Sequence, residues 1–111
     1  MRDEAGKKEE EALNRFKEIL TKQFGSEIVS VHLFGSKARG DTLEESDIDI
    51  LVVTERDDWR LKEQVGKVAT TILLDYGVYL SVKVLGKSFR QRLIHLDSPF
   101  LRNILREGIL L

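Results

Sequence analysis

One short run constrains this chain more than any other. Residues 48–53 read Ile-Asp-Ile-Leu-Val-Val, apolar but for a single aspartate, which is the pattern of a strand buried inside a sheet. Such a strand needs neighbours, and the flanking sequence offers them. Residues 28–34, Ile-Val-Ser-Val-His-Leu-Phe, are rich in β-branched and aromatic types and predict a first strand. Residues 78–85 alternate with period two and predict a third. Val78, Leu80, Val82 and Val84 share one of its faces, and Tyr79, Ser81 and Lys83 share the other.

Helical spacing fills the intervals. Leu13, Phe16, Ile19, Leu20 and Phe24 predict an amphipathic helix over residues 10–24, stopped by Gly25. Trp59, Val65, Val68, Ala69, Ile72 and Leu73 fall mostly on one face of a second helix over residues 57–75, ended by Tyr76-Gly77. Ser88 is placed to cap a third helix carrying Phe89, Leu93 and Ile94. Pro99 is placed to start a fourth carrying Phe100, Ile104 and Leu105, with Gly108 stopping it before Ile109-Leu110-Leu111. Residues 37–40 suit a short helical turn and residues 41–46 a polar loop. The N-terminus is dense with charge of both signs, and residues 1–9 are expected to fray. Helices alternating with strands in 111 residues predict one domain, residues 1–111, of α/β or α+β class. Its architecture is a small mixed β-sheet with helices packed against it.

Composition removes several chemistries. Cysteine is absent, so disulfides, thiolate zinc sites and thiol nucleophiles are excluded together. No apolar run approaches the ~20 residues that cross a bilayer, and Met1-Arg2-Asp3-Glu4 is no secretory signal. A soluble, cytoplasmic protein without a membrane partner is expected. Eighteen basic and nineteen acidic side chains leave a net charge of -1, so no global field gathers nucleic acid and any polyanion must be gripped locally. Lys87, Arg90, Arg92, Arg102 and Arg106 read as solvated helix faces. His32 and His95 lack the spacing of metal ligands and read as a sheet residue and a helix residue. The aromatic residues read mostly as core, with Trp59 equally suited to an exposed contact.

Two short motifs carry chemistry. Gly35-Ser36 leaves the first strand for a turn with Lys37, Ala38, Arg39 and Gly40. Glycine lets a phosphate oxygen approach the backbone, amide N–H groups at a helix start point toward it, and the serine hydroxyl adds a donor. The same pair also serves ordinary turns. Asp47 and Asp49, two apart in a strand, project from one face while Ile48 and Ile50 turn to the other. Two close carboxylates repel, and a divalent cation with a taste for hard oxygen relieves the repulsion. Solvated aspartates at a strand entrance fit the same spacing.

Taken together, Gly35-Ser36-Lys37-Ala38-Arg39-Gly40, a loop, and Ser46-Asp47-Ile48-Asp49-Ile50-Leu51 resemble the signature of the DNA polymerase beta-like nucleotidyltransferase superfamily, in its minimal, stand-alone branch. The likeness runs over about residues 28–85, and Arg106-Glu107-Gly108-Ile109 is similar to the usual end of such domains. The resemblance implies the nucleotidyltransferase fold and a catalytic metal site. Asp47 and Asp49 would bind Mg²⁺, or Mn²⁺ in its place, and Gly35 and Ser36 would hold the β- and γ-phosphates of a nucleoside triphosphate. Arg39 would pair with phosphate or with an acid in its own loop. The implied reaction is attack by a hydroxyl on the α-phosphate, with pyrophosphate leaving. Larger relatives carry a helical domain for the acceptor. The resemblance therefore implies a separate helical partner protein or a homo-oligomer, as in toxin–antitoxin modules whose transferase modifies the toxin.

One departure stands out. The family usually supplies a third carboxylate from its third strand, on the face turned toward the other two. Here that face offers Tyr79, Ser81 and Lys83, none of them acidic. Lys83 could set an ammonium where a second cation would otherwise sit. The alternative to an enzyme is a catalytically silent nucleotide- and metal-binding subunit with a regulatory or assembly role. A plain interaction domain would leave both motifs to coincidence.

Overall fold

A computed structural model of the chain describes residues 4–34, 48–96, 98, 99, 102 and 109–111. The order of elements is α1 (Glu4–Phe24), a 3-10 turn (Gly25–Glu27), β1 (Ile28–Phe34), β2 (Ile48–Thr54), α2 (Trp59–Tyr76), β3 (Leu80–Gly86), α3 (Lys87–His95) and β4 (Ile109–Leu110). The strands form one mixed sheet in the order β3-β2-β1-β4. β1 runs antiparallel to β2 and β4, and β3 runs parallel to β2, with α2 as the crossover. This is the predicted class and architecture.

Amphipathic spacing decides where the core forms. α1 buries Ala12, Phe16, Leu20 and Phe24, each four residues after the last, and α2 buries Leu61, Val65, Val68 and Ile72. Both helices lie on one face of the sheet, over Val31 and Leu33 of β1, Ile48, Ile50 and Val52 of β2, and Leu80 of β3. The opposite face holds a smaller cluster, Leu51 and Val53, against which Phe34, Leu85 and Leu93 of α3 pack. β2 is thus enclosed on both sides, as its composition demands.

Several boundaries differ from the sequence expectation. α1 starts at Glu4 rather than residue 10, because the charged lead is made, apart from Gly6, of Glu, Lys and Ala, all good helix formers. α2 begins at Trp59 with Asp58 as its cap, the carboxylate accepting from Arg60 N–H at 2.9 Å. Gly77 ends it at φ 69°, its N–H donating to Leu73 O. Trp59 is 67% exposed, with the Arg60 guanidinium 5.5 Å over its ring, and Leu61 takes the core position instead. Phe89 and Tyr79 are exposed as well, so the aromatic residues are less uniformly buried than their spacing suggested. α3 is capped by the backbone of Gly86, and Ser88 falls inside its first turn. β4 reads by sequence only as an apolar tail, yet it pairs Leu110 with His32 and Ile109 with Leu33. Pro99 and Arg102 are helical, whereas the rest of the expected fourth helix lies outside the described residues.

Candidate active site

The α1/α2 core determines what the other face of the sheet can present. Drawing Ile48, Ile50 and Val52 inward sends Asp49, Leu51 and Val53 to the opposite side of β2. Strand pairing then fixes the neighbours of each. Asp49 lies between Phe34 of β1 and Ser81 of β3, and Leu51 lies between His32 and Lys83. Leu51 and Val53 are shut off from water, while Asp49 is half-buried. The carboxylate therefore stands at the end of the sheet where β1 finishes and β2 begins.

Of the site residues expected from sequence, Asp49 is the one the structure describes. Gly35, Ser36, Arg39 and Asp47 lie outside the described residues. The residues to which two of them are bonded, Phe34 and Ile48, close the same end of the sheet, since Phe34 pairs with Asp49 and Ile48 N–H donates to Tyr79 O at 3.2 Å. Ser81 faces Asp49 directly. Lys83 is one pair further from the strand entrance, beside Leu51, and exposed.

Among the described residues, basic side chains and not a second acid furnish the rest of this face. His32 is linked to Ser30 through a 2.8 Å hydrogen bond between its Nε2 and the serine Oγ. Burial, and after it the positive charge of Arg90, hold the imidazole below its ordinary pKa. Arg90 reaches the sheet from α3, and its Nε is buried with no hydrogen-bond partner. By sequence alone Arg90 reads as one of the solvated late cations. Its position three residues before Leu93, the α3 residue that packs on the sheet, was the available signal. Lys87 is not simply solvated either, since it pairs with Glu55 at 2.6 Å. His95 is exposed at the end of α3, as expected of a helix residue. Among the described residues no group of three or more His, Cys, Asp or Glu gathers as a metal cage.

Comparison with known proteins decides the family. Residues 13–108 match the nucleotidyltransferase domain family. The chain belongs to it. Over 100 residues the domain is 39% identical to a protein of Methanocaldococcus jannaschii provisionally named a protein adenylyltransferase, covering 90% of this chain and 94% of that one. Among solved structures, a provisionally named nucleotidyltransferase from Sulfolobus solfataricus superposes with a TM-score of 0.53 at 25% identity, over 99% of this chain and 87% of that one. A mutant of the toxin–antitoxin MntA–HpeT shares the fold, with a TM-score of 0.57 at 19% identity over 89% of this chain and 70% of that one. This nucleotidyltransferase domain thus has relatives that match it nearly end to end.

Proposed function

We propose that the domain transfers a nucleoside monophosphate, AMP by the name of its archaeal relative, from a triphosphate to a hydroxyl group. The observation that carries this reading is the pairing of Phe34 with Asp49, which brings the residue before Gly35-Ser36 alongside the second aspartate of the Asp47-Ile48-Asp49 motif. In the proposed reaction the acceptor oxygen bonds to the α-phosphorus, the bond to the β-phosphate oxygen breaks, and pyrophosphate departs. The hydroxyl proton passes to solvent. Gly35 and Ser36 would bind the β- and γ-phosphates, Arg39 would neutralise one of them, and Asp47 and Asp49 would hold Mg²⁺ or Mn²⁺.

The donor set fits a lightly coordinated ion. Asp49 offers a hard carboxylate oxygen with the Ser81 position directly across from it, and Mg²⁺ is commonly held by one or two carboxylates with substrate phosphates completing its shell. Among the described residues β3 adds no third carboxylate, because serine occupies the register position opposite Asp49. When bound, the ion would neutralise charge on the phosphate oxygens as it develops. Asp49 contributes orientation as well, since a residue within a paired strand has little freedom to move.

A protein acceptor, supplied by a separate partner, is supported by the adenylyltransferase name of the relative and by the toxin–antitoxin neighbour. Among the described residues no helix is long and apolar enough to cross a membrane, which is compatible with work in the cytoplasm. Ser81 also gives weight to a second reading, in which the domain binds a nucleotide and an ion without turnover and serves a regulatory or assembly role. Incubating the protein with α-labelled ATP, Mg²⁺ or Mn²⁺ and a lysate of its own source separates the two. Label reaching a protein band with the parent chain, but not with an Asp47→Asn, Asp49→Asn variant, supports transfer. Nucleotide binding without transfer supports the silent subunit, and no binding overturns both.

A further inference from the structure

The two edges of the sheet are protected unequally. One is closed by β4, a two-residue strand. The other is β3, seven residues long, free of proline, and in unbroken register with β2 along its whole length. Proteins usually blunt such an edge with bulges, prolines, several charges or a covering element. Here the edge carries one charge, Lys83, which is exposed and has no ion-pair partner among the described residues.

Hydrogen-bond phase tells which groups the edge presents. Ile48 lies opposite Leu80 and donates its N–H to Tyr79 O. In a parallel ladder this turns the peptide groups of Tyr79, Ser81 and Lys83 toward β2 and those of Leu80, Val82 and Val84 outward. Alongside them α2 presents Gly66, Ala69, Thr70 and Leu73, which with Tyr79, Leu80 and Val82 line a groove of about 220 Å³. Small side chains at three of its positions, Gly66, Ala69 and Thr70, leave room there for small side chains of an added strand.

The geometry points to the open edge of β3 as a docking site for an extended segment of a protein partner, which joins the sheet beside β3 and carries a carboxylate opposite Lys83. Its alternate side chains enter the groove against α2, where the lining calls for small apolar groups, and the remainder lie over the face that holds Ser81. Charge selects this occupant over a second copy of the chain. Antiparallel self-pairing that uses all of Leu80–Gly86 sets Lys83 against Lys83, and like charges directly opposite are unfavourable. Backbone phase, groove and charge define this site, so it does not depend on nucleotide transfer.

A synthetic peptide supplies the test. It has valine at the groove positions and threonine, glutamate and threonine at the intervening ones, and is titrated into the full chain while backbone amides are followed by NMR. The expected result is saturable binding at least about tenfold tighter than for the same peptide with lysine in place of glutamate. Exchange should slow at the amides of Leu80, Val82 and Val84, and a peptide N-methylated at its edge-facing amides should not bind. Lys83→Glu, a surface change that leaves the strand intact, should invert the preference. Absence of saturable binding by either peptide, or binding that leaves those three amides unprotected, overturns the proposal. So does sedimentation showing a dimer whose β3 amides are already protected without peptide.

Discussion

The two faces of the sheet obey different rules. Against α1 and α2, β2 contributes Ile48, Ile50 and Val52 at 2% exposure or less, locked into a cluster drawn from both helices and three strands. On the other side the same strand contributes Asp49, Leu51 and Val53, and only the last two are covered. α3 shields the middle of that face and leaves the Phe34–Asp49–Ser81 row at its end. One face therefore holds the fold together, and the other sets two half-buried polar residues, Asp49 and Ser81, at its end. Adjacent residues of a single strand serve the two purposes because a strand turns its side chains alternately to opposite sides.

The contrast can be tested on neighbouring positions. Ile50→Ala, on the enclosed face, should cost about 2–5 kcal/mol through lost burial and an unfilled cavity, read from the urea midpoint. Asp49→Asn, one residue away, should leave stability within about 1 kcal/mol yet lower label transfer by roughly a hundredfold or more, the scale seen when a charge-stabilising group is removed from a reaction centre. If the two variants behaved alike, the division of labour would be wrong. Gly86→Ala probes the far end of the sheet. Its Cβ would sit 2.8 Å from the backbone nitrogen of Asp57, and the forced shift should cost about 1–3 kcal/mol in thermal or urea unfolding. Asp58→Ala removes only the α2 cap and should cost about 1 kcal/mol in the same measurement.

The smallest expected effect is one of pH. His32 has a folded-state pKa below 6.5, chiefly because burial disfavours the charged ring and secondarily because Arg90 repels it. The unfolded chain binds this proton more readily than the folded one. Stability that is present above the ordinary histidine pKa is therefore lost as pH falls through it and on toward the folded value. Thermal midpoints measured between about pH 7 and pH 5 should fall less in His32→Gln than in the parent chain. An identical slope would show that the imidazole is not effectively sheltered.

The enclosed face was the more legible of the two. Phe16, Leu20, Phe24, Val65, Val68 and Ile72 announced themselves by helical period, and β1 was bounded correctly because its β-branched run ends at a glycine. Errors collected where local chemistry is ambiguous. Trp59 suits core and surface alike by its sequence, and the phase of α2, with Leu61, Val65, Val68 and Ile72 turned inward, leaves it exposed. β4 is two residues long and pairs with a strand far away in sequence, so no local period could reveal it. At the site, alternation correctly put Asp49, Ser81 and Lys83 on one face, but it could not say that Ser81, rather than Lys83, would face Asp49. That depends on how β2 and β3 slide past each other, which the crossover through α2 and the burial of Leu80 opposite Ile48 determine. Arg90 was missed because a charge on a helix is legible as a sheet contact only once the helix is known to lie on the sheet.

The passage from β3 to α3 has a mechanical consequence. Gly86 ends the strand and Lys87 begins the helix, with no residue of slack between them. On the far side of that joint the backbone of Asp57 blocks any substituent. The direction in which α3 leaves the sheet is therefore set at a single residue, by the backbone angles of Gly86 (φ -68°, ψ 151°).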